Sequence, residues 1–349
     1  VQVPEPWAHP SGWTAAELRA DPSWRHVLDD EDVRELDAAL AAARAAGLGI
    51  PSLDRERFPL PRLAPRLARI LRELEDGRGI ATIEGLPVHR WSKADAALVY
   101  WGLGAHLGPA FAQNMQGDLL GHVRDLGVDV RDGRARGYQS RAHLSFHNDS
   151  TDVVGLLCLA TAREGGLSRV ASSVAIHDEL VATRPDLAAA LYGPWHVDRR
   201  GEQPDGEPPA FVTPFFVRHG GRLFAKYNRR YVETAQRFDG VAPLTATQIE
   251  ALDAVDRLCE DPRFCLEMAL KPGDVQFVCN HALLHSRTAY EDWPEPSRKR
   301  HLLRLWLRTP GFADRPPAFA ARDRDMLAWQ RSPRAPVFDD AEIRTALSH

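Results

Sequence analysis

The chain has 349 residues, 44% of them hydrophobic and 26% charged, with a formal net charge of -4. This is enough for one large domain or two ordinary ones around a substantial core. The balance excludes the basic footprint of a nucleic-acid binder and the polybasic patch of a membrane-surface protein. Only Lys93, Lys226, Lys271 and Lys299 are lysines among 44 basic residues, so an arginine is informative here only through its position.

The N-terminal region, residues 1–76, is expected to be helical. Val33, Leu36 and Leu40 recur at helical spacing from Asp30, with Gly47 placed to close the helix. Leu67, Ile70, Leu71 and Leu74 repeat the pattern up to Gly77. A short strand is predicted over Ile80 to Ile83, ended by Gly85-Leu86-Pro87, and Ser92 with Asp95 forms a capping box for the next helix. From about residue 117 short strand-like runs appear: Leu119 to Val123, Ala142 to Asp149 and Val153 to Ala160. One helix is expected from Ile176 to Tyr192, then a loop-rich stretch over 196–220. A helix opened by Thr245 and Gln248 should turn Ile249, Leu252 and Val255 inward. Phe264, Leu266, Met268 and Leu270 alternate, as do Val275, Phe277 and Cys279 after a Pro272-Gly273-Asp274 turn, and His301 to Leu307 form the last strand.

The pattern predicts an α+β chain on a β-sandwich or barrel. A β-rich domain over 77–312, with an insertion around 176–260, is followed by a C-terminal tail over 313–349. Cys158, Cys259, Cys265 and Cys279 lack metal-type spacing and read as free thiols of a reducing compartment. With no long apolar segment and no secretory-type start, the expected location is the cytoplasm, without a membrane partner.

The residues that suggest chemistry are His147, Asp149 and His285. Positions i and i+2 of a strand share a face, so His147 and Asp149 can occupy adjacent corners of a metal's coordination sphere while Asn148 points away. A second histidine from a distant strand completes a two-His-one-carboxylate set, which leaves positions open for co-substrate and O₂. The bland alternative is a surface histidine beside a turn aspartate, with His285 a core histidine; His281 is a rival third ligand. Arg300 and Arg304 share one face of an apolar strand. A buried arginine there needs an anion, either a dicarboxylate co-substrate or a structural carboxylate.

Taken together, His147-Asn148-Asp149, Gly165-Gly166-Leu167-Ser168, His285-Ser286-Arg287-Thr288-Ala289-Tyr290 and the Arg300 to Arg304 strand resemble the taurine dioxygenase and clavaminate synthase group of Fe(II)/2-oxoglutarate oxygenases. The resemblance spans roughly residues 78 to 308. It implies a double-stranded β-helix, a jelly-roll barrel with flanking helices. It also implies Fe(II) on His147, Asp149 and His285, with 2-oxoglutarate and O₂ as co-substrates. Ser168 and Arg304 would hold the distal carboxylate of 2-oxoglutarate, and Arg300 would lie nearer its metal-bound end. Hydroxylation of a small substrate is the default outcome, with desaturation, cyclisation and epoxidation open; Asp149 argues against halogenation. Gln113, Asn114, Tyr138 and the Tyr227-Asn228-Arg229-Arg230 run fall where the group has pocket or lid loops, and an amino-acid-like molecule or biosynthetic intermediate would suit them. Two other readings stay open. One is a cupin-type metal dioxygenase or isomerase that needs neither Arg304 nor Ser168; the other is a non-catalytic small-molecule binder.

Overall fold

The computed structural model describes residues 4–127 and 137–338. Helix α1 spans Ala15–Ala20 and α2 spans Asp30–Ala45, the latter opened by a capping box between Asp29 and Asp32. Its buried face carries Leu36, Ala39, Leu40 and Ala43, and Gly47 follows in the left-handed region at φ 66°. Helix α3 (Ala64–Glu75) buries Leu67, Ile70 and Leu74. Helix α4 (Lys93–Ala105) begins at the expected Ser92–Asp95 box and is buried along most of its length. Helices α3 and α4 pack on one sheet, α2 packs on α4, and residues from Trp13 to Trp329 contribute to a single hydrophobic core there.

The strands are β1 (Arg25–Val27), β2 (Ile80–Glu84), β3 (Leu120–Val123), β4 (Leu144–His147), β5 (Val153–Ala160), β6 (Glu164–Gly165) and β7 (Ser168–Ser172). They continue with β8 (Trp195–Asp198), β9 (Ala210–Thr213), β10 (Phe216–His219), β11 (Arg222–Ala225), β12 (Cys265–Met268), β13 (Val275–Cys279), β14 (Leu283–Arg287), β15 (Tyr290–Glu291) and β16 (His301–Leu307). A six-stranded sheet runs β1-β2-β13-β5-β16-β3, and a four-stranded sheet runs β12-β7-β14-β4. Pairing within both is antiparallel, except that β1 lies parallel to β2. Every residue of β13 and of β16 is buried. Such two-sided burial arises because helices cover one face, while the other face meets an internal slot between the sheets.

Several expectations are corrected. The helix predicted over 176–192 is two helices, α5 (Ser173–Thr183) and α6 (Pro185–Leu191), because Pro185 has no N–H to donate and disfavours helical geometry at Arg184. The stretch read as loop holds two antiparallel ribbons, β8 with β9 and β10 with β11. Helix α7 (Arg229–Ala235) precedes α8 (Ala246–Glu260), which is capped by Thr245 and Gln248 as expected. On α8, Leu252 and Val255 are buried, but Ile249 is 44% exposed. The C-terminal segment adds α9 (Ala320–Trp329), whose Met326 and Trp329 join the main core, and residues 339–349 of the expected tail lie outside the described residues. Among the described residues no helix is long and apolar enough to cross a membrane.

All four cysteines are buried free thiols. Burial pushes the Cys158 and Cys279 thiols up to about 12. His122 on β3 and His301 on β16 are buried together, with Nδ1 of the first 2.8 Å from Nε2 of the second. Burial lowers His122 to about 4. The folded protein therefore keeps His122 neutral at a pH where the unfolded chain, with an ordinary histidine near 6.5, already binds a proton. Stability is expected to be full above about pH 6.5 and to decline as the pH falls toward 4. Denaturant titrations at stepped pH should show that slope, and His122→Gln should flatten it; an unchanged slope in the variant would remove His122 as the cause.

Candidate metal centre and its two cavities

Strand β4 ends on His147, and β14 sets His285 directly opposite it in antiparallel register. Asp149 lies beyond the strand, so the expected strand alternation does not by itself bring it round. Asn148 does. Its Nδ2 donates to the carbonyls of Asn280 and Leu283, both at 2.7 Å, and its Oδ1 accepts from the Tyr227 N–H at 2.6 Å. The Asn280 side chain then accepts from the Asp149 N–H at 3.1 Å. The chain is pinned on both sides of Asp149, and its carboxylate meets the two imidazoles.

His147 Nε2 lies 3.8 Å from Asp149 Oδ1, and His285 Nε2 lies 3.9 Å from Asp149 Oδ2. One donor atom from each residue falls within 4.8 Å of the others. His147 Nδ1 is 2.9 Å from the Ser145 carbonyl, which can only accept, so Nε2 is left with its lone pair toward the centre. Burial lowers the pKa of both histidines, that of His285 to about 3, with His147 adding to the effect there. Burial alone would raise Asp149, but Arg304 and the two imidazoles outweigh it and hold the carboxylate well below its usual range. Two neutral imidazoles and one carboxylate are the donor set that suits a divalent transition ion with open positions. Trp306 Nε1 donates to Asp149 Oδ2 at 2.9 Å, and Lys226 Nζ donates to the Asp149 carbonyl at 3.1 Å. The rival His281 is occupied elsewhere, 2.8 Å from the buried Asp152 carboxylate.

Two spaces meet at the triad. A narrow slot of about 50 Å³ runs between the sheets, past Ser168, Gln276, Arg287 and Arg300. A wider cavity of about 220 Å³ opens on the other side, and His147, Asp149, Tyr138, Leu144 and Arg304 line both. Apolar residues, among them Val154, Leu156 and Leu302, make up much of the slot wall, yet besides Arg304 it contains two further buried guanidiniums. Arg287 and Arg300 lie 4.8 and 5.0 Å from the centroid of the Tyr290 ring. Nη1 of each has no hydrogen-bond partner among the described residues. Burial pushes both guanidiniums down, Arg287 to about 10, with Arg300 contributing to that shift. Gly166, at φ 70°, permits this packing, since a Cβ there would stand 2.9 Å from Arg300 Nε.

Arg304 and Ser168, expected to hold one carboxylate of the co-substrate, both line the slot but are hydrogen-bonded to different glutamines. Arg304 Nε donates to Gln113 Oε1 at 2.7 Å, and Nη1 approaches Asp149 Oδ2 at 3.4 Å. Its guanidinium stacks 4.5 Å from the Tyr138 ring centroid. Ser168 Oγ donates instead to Gln276 Oε1 at 2.6 Å. Three of the expected substrate contacts line neither the slot nor the wider cavity. Gln113 is buried, and its Nε2 donates to the Leu119 and Arg304 carbonyls, so it steadies Arg304. Asn114 is consumed by a turn with Asp118. Tyr227 is buried with its hydroxyl 2.5 Å from Asp256, and it lines a smaller neighbouring hollow. Tyr138, Asn228, Arg229 and Arg230 do line the wider cavity, with Arg229 tied to Glu233, Asp253 and Asp256. Sequence reasoning missed Asn148, Gln276, Trp306, Arg200 and Arg322. Arg287 stood within a quoted motif and was passed over.

A family model described as "Taurine catabolism dioxygenase TauD, TfdA family" matches residues 43–306. FR-33289 synthase of Streptomyces rubellomurinus is 36% identical over 304 residues, covering 85% of this chain and 88% of that protein. A taurine hydroxylase-like protein of Stachybotrys chartarum is 30% identical, with 90% and 83% coverage. The crystal structure of an asparagine oxygenase in complex with Fe(II), 3-hydroxyasparagine and succinate superposes with a TM-score of 0.63 at 20% identity, covering 84% of this chain and 98% of that one. At that identity the likeness is one of fold.

Asn148→Ala should loosen the triad without touching a donor atom. Loss of outer-partner support costs roughly 10- to 100-fold in metal affinity, measurable by Co(II) titration of the metal-free protein. The same variant should lose about 1–3 kcal/mol of stability from carbonyls left unpaired. Co(II) binding at wild-type strength would show that Asn148 does not position the ligands.

Proposed function

The chain belongs to the TauD/TfdA dioxygenase family and is a non-haem iron dioxygenase; we propose that it couples decarboxylation of 2-oxoglutarate to oxidation of a C–H bond in a small polar substrate. Hydroxylation is the outcome we assign. The observation that carries the reading is the His147–Asp149–His285 donor set at the mouth of a slot that contains two buried arginines with unsatisfied nitrogens. A cupin-type enzyme that uses only a metal has no need of cations in a closed, largely apolar slot, and neither has a passive binder.

His147, Asp149 and His285 would hold Fe(II). Iron and 2-oxoglutarate, when bound, supply the oxidising power with O₂ and yield succinate and CO₂. The remaining work belongs to the chain. Arg300, backed by Arg287, holds the distal carboxylate of 2-oxoglutarate, and Ser168 turns its hydroxyl from Gln276 to the same group. Arg304 stays at the metal end, steadied by Gln113, and Trp306 fixes the Asp149 carboxylate. Leu156, Leu302 and Val278 keep water from the slot. We read the two sheets as the halves of a double-stranded β-helix, and residues 77–312 as the catalytic unit into which the flanking segments pack. The structurally similar asparagine oxygenase holds a hydroxylated amino acid, and an amino-acid-like substrate or a related polar intermediate suits the wider cavity here. Four buried thiols suit the cytoplasm.

Anaerobic addition of Fe(II) and 2-oxoglutarate should produce the weak visible charge-transfer band of the chelate. Arg300→Gln should weaken 2-oxoglutarate binding by roughly 10- to 150-fold, the equivalent of about 1.5–3 kcal/mol. Arg304→Gln should change it much less. The reverse ranking would return the clamp to Arg304, and indifference to both would end the 2-oxoglutarate reading. Asp149→Ala should abolish succinate formation while circular dichroism reports an intact fold; near-normal turnover would show that Asp149 is not a ligand.

A further inference from the structure

The Asp149 carboxylate is aimed by neighbours that are themselves held from far away. Its Oδ2 accepts from Trp306 Nε1 at 2.9 Å and is approached by Arg304 Nη1 at 3.4 Å. Arg304 is fixed in turn by Gln113, whose Oε1 accepts from the guanidinium while its Nε2 donates to the Arg304 and Leu119 carbonyls. Gly121 makes room for that amide, since a Cβ there would stand 2.7 Å from Gln113 Oε1. Gln113 lies on neither a helix nor a strand. A side chain on such a segment keeps its aim only if the backbone around it is held.

The C-terminal segment holds it. Gln330, the residue after α9, accepts the Ala112 N–H on its Oε1 at 2.8 Å. Arg334 makes a two-pronged ion pair with Asp118, Nε to Oδ1 at 2.5 Å and Nη2 to Oδ2 at 2.9 Å. Its backbone N–H donates to the Gly117 carbonyl at 2.7 Å. Asp118 passes this support on, because its carbonyl accepts the Gln113 N–H at 2.9 Å and its Oδ2 accepts from Asn114 Nδ2 at 2.9 Å. The two segments approach so closely that a Cβ on Gly117 would stand 2.0 Å from the Ser332 carbonyl oxygen. Met326 and Trp329 anchor the preceding helix in the main core, so the segment has a firm base of its own. Residues 330–334 lie beyond the 43–306 span of the family match.

We propose that Gln330 and Arg334 are positioning residues for the metal centre, acting through Gln113 and Arg304 on the Asp149 carboxylate. Neither lines the slot or the wider cavity, so their influence reaches the centre along this chain of contacts. With the Ala112 N–H or the Asp118 carboxylate released, the 112–118 segment moves, Gln113 moves with it, and Arg304 loses its fixed distance from Asp149. The proposal rests on the reading of His147, Asp149 and His285 as metal ligands.

The test titrates the metal-free protein with Co(II), which reports binding without turnover. Gln330→Leu keeps the bulk of the side chain and removes the acceptor for the Ala112 N–H. It should weaken Co(II) binding at least about threefold, less than the roughly 10- to 100-fold expected of a direct partner of a ligand. Arg334→Gln should act in the same direction. Gln330→Glu keeps an oxygen for that N–H and should restore binding to within about twofold of wild type. In an Arg304→Gln background the last link is already broken, so Gln330→Leu should have no further effect, whereas a general loss of stability would add in full. If Arg304→Gln does not fold, Gln113→Met supplies the broken link, and the comparison of Leu with Glu at 330 stands without either. Wild-type affinity in both Gln330→Leu and Arg334→Gln overturns the proposal, as does a fully additive loss or a failure of Gln330→Glu to restore binding. A wild-type protein that binds no Co(II) would end the metal-centre reading and this one with it, whereas indifference of the variants alone would leave that reading intact.

Discussion

Three hydrogen bonds from one amide side chain hold the centre of this molecule together. Asn148 sits between His147 and Asp149 and reaches the chain just ahead of His285 through the Asn280 and Leu283 carbonyls. It also receives the N–H of Tyr227, next to the ribbons of the insertion. A buried primary amide with its donors and acceptor satisfied cannot shift without leaving polar groups unpaired in a dry interior, so the geometry is locked by the cost of its alternatives. Strand β4 ends two residues before Asp149, so pleat alone does not align it. The amide supplies what the pleat does not.

The second organising constraint is electrostatic. Two buried guanidiniums in the slot beside the triad are poorly compensated by carboxylates of the described residues, and the low-dielectric interior makes that deficit felt. The deficit belongs to Arg287 and Arg300, each of which has an Nη1 without a hydrogen-bond partner among the described residues. The His147, Asp149 and His285 side chains line that slot, so its cationic wall and the donor set share one space.

Much of this was legible in the sequence because it depends on local chemistry. Capping boxes at Ser92 and Thr245 and the apolar spacing of Leu36 and Leu40 report directly on helices. The His147, Asp149 and His285 positions were readable because their residue types are costly to place together without a purpose. What was not legible depends on distant packing. The direction of the Arg304 guanidinium is set by Gln113, almost two hundred residues away in sequence, and strand parity cannot report it. Polar side chains at 113, 114 and 227 resemble pocket residues in sequence, but tertiary partners use their hydrogen bonds. The ribbons at β8 to β11 were obscured by glycine and proline, and Arg322 by a helix that gives no sign of its destination.

The four thiols acquire a meaning beside an oxygen-activating centre. Cys158 packs with Val123 and Leu302, which form part of the slot wall. Oxidation of cysteine proceeds through the thiolate. With Cys158 held near 12 by burial, on the order of one in a hundred thousand copies is ionised at pH 7. The fold thus keeps sulfur beside the slot in the form least able to be consumed by an oxidant there, and inactivation through stray turnovers should fall on other side chains first.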